Sequence, residues 1–128
     1  MTNAHMPASF SCPAGSENYK YDLDGTVDAD NQSNSAVTIK SMSSSSTVTA
    51  KHGNWKGAVG DKSGADNLKF SPGSVPAGAR TTIKFISPWN CSNSVSGVST
   101  YADFAVVLSV VTSAGTFKLN LKHRLAMA

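Results

Sequence analysis

Glutamate is almost missing from this 128-residue chain: Glu17 is the only one, and aspartate carries the remaining acidic charge. Charged residues of both signs make up only 15%, against 40% apolar. The net charge is a mild +3, and the 11 basic residues are scattered, with no Lys/Arg run interleaved with aromatics. That distribution gives no nucleic-acid footprint. The longest apolar run, FAVVLSVV (Phe104–Val111), falls far short of the roughly 20 residues that a membrane helix needs. There are two cysteines, Cys12 and Cys91, with no C-x-x-C pair and no histidine at zinc-like spacing, so a thiolate metal site is not expected. A G-x-S-x-G nucleophile elbow is missing too, as is any capped apolar pattern of helical period.

What fills the chain instead is serine, threonine, asparagine and glycine, interleaved with β-branched residues. Such a composition, with few charges, is typical of secreted β-proteins and unlike that of disordered chains. The opening MTNAHM reads as an expression scar, since His-Met is what a common cloning site encodes. It is left out of the fold reasoning, which leaves residues 7–128 as a single domain. Cys12 and Cys91 are expected to form a structural disulfide closing a loop of about 80 residues, worth about 4–5 kcal/mol in the chain-entropy model. Two buried free thiols are the alternative. A disulfide implies an extracellular location. N-x-S sequons at Asn31 and Asn90 have meaning only in a eukaryotic source.

Alternation of period two recurs along the chain. In NYKYDLDGTVDADNQ, Tyr19, Tyr21, Leu23, Val27 and Ala29 share one face, and Lys20, Asp22, Asp24, Asp28 and Asp30 the other. Val37 and Ile39 begin a second strand, and Val48 and Ala50 mark a third beyond the polar run SSSS. Residues 52–78 are rich in glycine and proline and should hold two short strands. RTTIKFI places Thr81, Ile83 and Phe85 inward, with Arg80 and Lys84 outward. TYADFAVVLSVVT is apolar on both faces and should be a central strand covered on each side. A turn at SAG then leads to a last strand in which Phe117, Leu119, Leu121 and Leu125 point inward.

Seven to nine short strands with frequent turns and no helix predict an all-β, antiparallel sandwich. The stretches YKYDLDGTVDADNQSNSAVTI and SVPAGARTTIKF resemble parts of immunoglobulin-like modules found in bacterial surface and secreted proteins. The resemblance covers about a third of the chain and implies adhesion, spacing or carbohydrate binding. It departs from antibody-type domains, because Cys12 and Cys91 do not flank a tryptophan at the expected interval.

Four clusters invite a chemical reading. DLDGTVDADNQS fails the EF-hand spacing, which leaves Asp28, Asp30 and Asn31 as the only metal set, for calcium, the one cofactor this chain suggests. The plainer expectation is a solvated acidic face lying beside a basic strand, either Arg80/Lys84 or Lys118/Lys122/Arg124. Carboxylates in one exposed row share their surroundings, which suits neither acid nor base in glycoside hydrolysis. His52 and His123 read as ordinary loop and strand residues, since nothing in sequence supplies a triad. Trp55 and Trp89, both expected in loops, could form with Tyr19 a stacking platform for sugar; alternatively each plugs an end of the sandwich with its N–H bonded to backbone. The Ser/Thr-rich segment TIKSMSSSSTVTAK could be an edge strand.

The expected protein is a monomeric, non-enzymatic, secreted or cell-surface module for adhesion, structure or interaction, with a protein or glycan surface ligand. The alternative is a carbohydrate-binding module using Trp55, Trp89 and Tyr19. No nucleic-acid partner and no membrane span are expected.

Overall fold

The acidic stretch forms a strand whose side chains alternate without a break. In the computed structural model, β3 (Lys20–Asp30) buries Tyr21, Leu23, Gly25, Val27 and Ala29 and turns Lys20, Asp22, Asp24 and Asp30 to solvent. The structure describes residues 1–13, 19–53, 55, 57–91 and 100–127, with no side-chain detail for Met127. Glu17 and Ser92, the last residue of the Asn90 sequon, lie outside them.

The other strands are β1 (Thr2–His5), β2 (Ser9–Cys12), β4 (Val37–His52), β5 (Lys62–Ala65), β6 (Lys69–Ser71), β7 (Ser74–Val75), β8 (Arg80–Asn90), β9 (Tyr101–Thr112) and β10 (Gly115–Met127). One sheet has the order β1-β3-β8-β6 and the other β2-β10-β9-β4-β5, with β7 paired to β4. Apart from β2, these orders are those of the A-B-E-D and G-F-C-C′ sheets of an immunoglobulin-type sandwich. The N-terminal segment starts in the first sheet, antiparallel to β3, and crosses to the second, where β2 runs parallel to β10.

β3 lies beside β8, the first of the two basic strands expected to balance it. Asp30 sits directly opposite Arg80, 3.4 Å away, and Lys84 faces Thr26 between Asp24 and Asp28. Both members of the ion pair are exposed, so it adds little to stability. β9 and β10 form the expected hairpin, in register from Thr112↔Gly115 to Tyr101↔Ala126. Gly115 has φ of +121° at the turn, where a side chain would be strained.

Several expectations change. The described residues hold ten strands instead of seven to nine, partly because the opening residues form β1 and because residues 52–78 contribute three short strands, not two. SSSS does not separate two strands: β4 runs unbroken through it, since β9 supplies a ladder on one side along almost its whole length. β4 is not the sheet edge either, because β5 pairs with Ser44–Thr47. β9 is central but covered on one face only: Ala102, Phe104, Val106, Leu108 and Val110 are buried, whereas Ala105 is exposed and Val107 and Val111 are half-buried on the outer face.

The core has two parts. One surrounds the Cys12–Cys91 disulfide and includes Tyr21, Leu23, Trp55, Phe104 and Leu125. The other contains Val27, Ile39, Met42, Ile83, Phe85 and Val110.

Candidate functional site

Strand parity puts hydroxyls where a sandwich normally has hydrocarbon. On β4, Met42, Ser44, Ser46 and Val48 stand opposite the inward-facing Val110, Leu108, Val106 and Phe104 of β9, so Ser44 and Ser46 point between the sheets. Ser46 is 4% exposed, and its cross-strand neighbour on β5 is Ser63. Facing them is the end of β8 beyond its pairing with β6, which stops at Ile86. The sheets part here into an open cleft of about 470 Å³, lined by Ser44, Ser46, Ser63, Trp55, Trp89 and Phe104, with Lys20 and Asp22 among its polar residues.

Aromatic rings make up its apolar side. Phe104 lies edge-on between the two tryptophans, at 6.2 Å from Trp55 and 5.1 Å from Trp89, with interplanar angles of 76° and 80°. Such edge-to-face contacts suit ring quadrupoles. Trp89 is half-buried and donates its Nε1–H to Ser87 Oγ at 3.1 Å. Trp55 is 5% exposed, and its Nε1–H has no acceptor among the described residues. A smaller pocket of about 220 Å³ adjoins Trp55, with Gly57, Asp61 and Ser63 in its wall. A Cβ on Gly57 would sit 3.0 Å from Trp55 Nε1 and 3.2 Å from Asp61 Oδ2, so this glycine keeps the space beside the indole N–H open.

Behind Trp89 is His123, 4.6 Å away ring to ring and 2% exposed. Its Nδ1 is 2.8 Å from Pro7 O, and a carbonyl only accepts, so Nδ1 carries the proton. Nε2 then accepts from the Tyr21 hydroxyl at 3.3 Å. Burial lowers the His123 pKa, partly offset by the Pro7 bond, and burial pushes the Tyr21 phenol well up. With the folded value below the unfolded one of about 6.5, the stability contributed by neutral His123 is full above that pH and is lost as pH falls through the folded value. The thermal midpoint should therefore drop as pH falls below about 7, and His123→Gln should flatten that slope. Asp103 acts in a lower window, because Arg124, at 2.7 and 3.0 Å, holds its carboxyl below the usual range. A slope that persists unchanged in His123→Gln would assign the effect elsewhere.

The structure thus brings Trp55 and Trp89 together in one cleft. Trp89 belongs to β8 and not to a loop, and its N–H meets a serine hydroxyl instead of backbone. Trp55 is too buried to serve as an exposed platform. Tyr19 is not among the cleft's lining residues: it is 43% exposed and stacks at 6.2 Å on Phe10, whose other contact is Tyr21 at 3.8 Å. Asp28 accepts from Asn3 and Thr82, and Asp30 pairs with Arg80 and accepts from Gln32. Asn31 is buried, its Nδ2 donating to the carbonyls of Ser35, Val75 and Pro76 and its Oδ1 accepting from Ser33 N and Oγ. It is a structural tie between turns. Among the described residues no three His, Cys, Asp or Glu side chains are grouped to hold a metal.

Ser44, Ser46 and Phe104 of the cleft were not singled out from sequence, nor was the burial of His123. Parity carried the signal: Ser44 and Ser46 continue the inward row between Met42 and Val48, and His123 stands between Leu121 and Leu125.

No family model matches the chain, and no curated protein does. Among solved structures it is similar to the ASH / PapD-like domain of human CEP192 (PapD-like domain 7), at 13% identity and a TM-score of 0.33, covering 99% of this chain and 88% of that one.

Proposed function

We propose that this chain is a non-enzymatic, extracellular binding module that holds a saccharide in the cleft between its sheets. One observation carries the proposal: Trp55, in the wall of the cleft, keeps a buried N–H that has no hydrogen-bond partner among the described residues and borders the small pocket at Gly57, with the half-buried Trp89 on the cleft side. An unsatisfied buried polar group costs about 1–3 kcal/mol, and a ligand rich in hydroxyls would satisfy it. Aromatic surface next to a few placed polar groups is the usual composition of such a site. The disulfide supports an extracellular setting. No helix among the described residues is long and apolar enough to cross a membrane.

The test is titration with cellohexaose, chitohexaose and xylohexaose, followed by calorimetry and by the two indole Nε1–H NMR signals. At least one sugar should shift the Trp55 signal. Ser46→Ala, which removes one hydroxyl and no packing, should weaken that binding about tenfold, or ~1.4 kcal/mol. Indole signals that stay in place at about 1 mM of every sugar would remove the saccharide from this site.

A further inference from the structure

We infer that the uncovered edge of β10 is a docking site for an extended peptide segment of a partner protein, one that alternates apolar and acidic residues and adds to the sheet as a strand. The site is separate from the cleft and does not depend on the saccharide reading.

β10 pairs with β9 from Gly115 to Ala126, but on its other side β2 covers only Arg124–Met127. Gly115–His123 therefore has no hydrogen-bonded strand on that side among the described residues, a run of ~30 Å at about 3.4 Å per residue. Which backbone groups face outward follows from one bond. Arg124 N donates to Ala8 O, away from β9, at 2.8 Å. Backbone groups alternate sides along a strand, so the N–H and C=O of Thr116, Lys118, Asn120 and Lys122 point to the open edge as well. These are a ready template for strand addition.

Side chains along the edge define the occupant. On the inner face, Phe117 is 37% exposed, and Leu119 and Leu121 are only partly buried, although their parity points them toward the core. Across the opening stands β1, the edge of the other sheet, from which Ala4 packs on the same apolar cluster as Leu119 and Leu121. An incoming strand with apolar residues on this face would finish the burial that the chain's own residues leave incomplete. On the outer face, Lys118 and Lys122 are exposed, and the ion pairs of the described residues involve neither. Carboxylates at alternate positions of the guest would meet them, each cross-strand pair of opposite charge worth roughly 0.2–1 kcal/mol.

Charge selects this occupant over a second copy. Two β10 edges paired antiparallel would gather four lysines along one seam, an arrangement that edge lysines ordinarily prevent. The same lysines that discourage self-association attract an acidic strand.

A capped synthetic octapeptide of alternating valine and glutamate is the probe, with its valine–lysine counterpart as the control. The acidic peptide should shift the amide signals of Thr116–Lys122 and leave the indole signals of the cleft unmoved. Asn120→Pro is the decisive variant. It removes an N–H that faces the open edge and spares the ladder to β9, so the fold should persist while binding falls at least about tenfold. Lys118→Glu with Lys122→Glu, both exposed, provides a second route if the proline variant unfolds: preference should reverse to the lysine peptide. Binding that is indifferent to Asn120→Pro in a folded protein overturns the proposal, as does no binding at about 1 mM peptide. A concentration-dependent dimer in sedimentation, abolished by Asn120→Pro, would overturn the partner assigned and give the edge to a second copy.

Discussion

Replacing Cys12 and Cys91 together by alanine is expected to lower the unfolding free energy by about 4–5 kcal/mol. The two cysteines are 79 residues apart, so the crosslink removes a large share of the freedom of the unfolded chain. It also fixes weak structure. β2 has only four residues and is joined to the sheet by a parallel ladder to the last residues of β10. The far end of the crosslink, Cys91, follows β8 and donates its backbone N–H to Tyr19 O at 2.8 Å. Both cysteines are fully buried in the core cluster that holds Trp55 and Phe104, so each alanine also leaves a void beside the cleft. Urea unfolding should show the loss as a lower midpoint, and a steeper slope, since the reduced chain exposes more surface when unfolded. Hydrogen exchange should speed up first at Ser9–Cys12. A loss below about 1 kcal/mol would mean that the unfolded chain is already compact without the bond.

The second large effect concerns Gly25 and Phe85, which are directly opposite on β3 and β8. A Cβ on Gly25 would overlap the Phe85 ring, which lies across the glycine and is 2% exposed. Strand propensity alone favours replacing a mid-strand glycine. Packing reverses the sign: Gly25→Ala should cost about 1–3 kcal/mol, because the ring has to leave its place in a filled core. Phe85→Ala should cost about 3–5 kcal/mol through lost burial and the cavity left behind. In the Phe85→Ala background the Gly25→Ala change should be nearly neutral or stabilising, since the new methyl enters vacated space. The resulting coupling of about 1–3 kcal/mol, measured by a double-mutant cycle in denaturant, is the signature of direct contact. Additive effects would show that the glycine is kept for its backbone and not for the ring.

Much of the fold was legible because alternation is local. Tyr21, Leu23, Val27 and Ala29 declare an inward face by themselves, and Ile83 with Phe85 does the same on β8. The pairing of acidic β3 with basic β8 was legible as one of two options, since opposite charges on neighbouring strands attract. The cleft was not legible in the same way. Ser44 and Ser46 look like loop composition until β9 is known to pair with them, and burial of Trp55 depends on Phe104, 49 positions further on.

Sequence by itself determined the class of the protein: strands of period two, a two-sheet sandwich and one pair of cysteines available for a disulfide. These follow from which side chains recur at i and i+2 and from how many cysteines exist. Tertiary structure alone decided that β9 is covered on one face, that Asn31 is spent on tying turns together, and that β10 keeps an edge unpaired among the described residues. It also decided that the polar serines and the two tryptophans meet in one cleft. The reason is range. Alternation is set by neighbours along the chain, whereas exposure, hydrogen-bond saturation and unfilled edges depend on which distant strand arrives, and on where it stops.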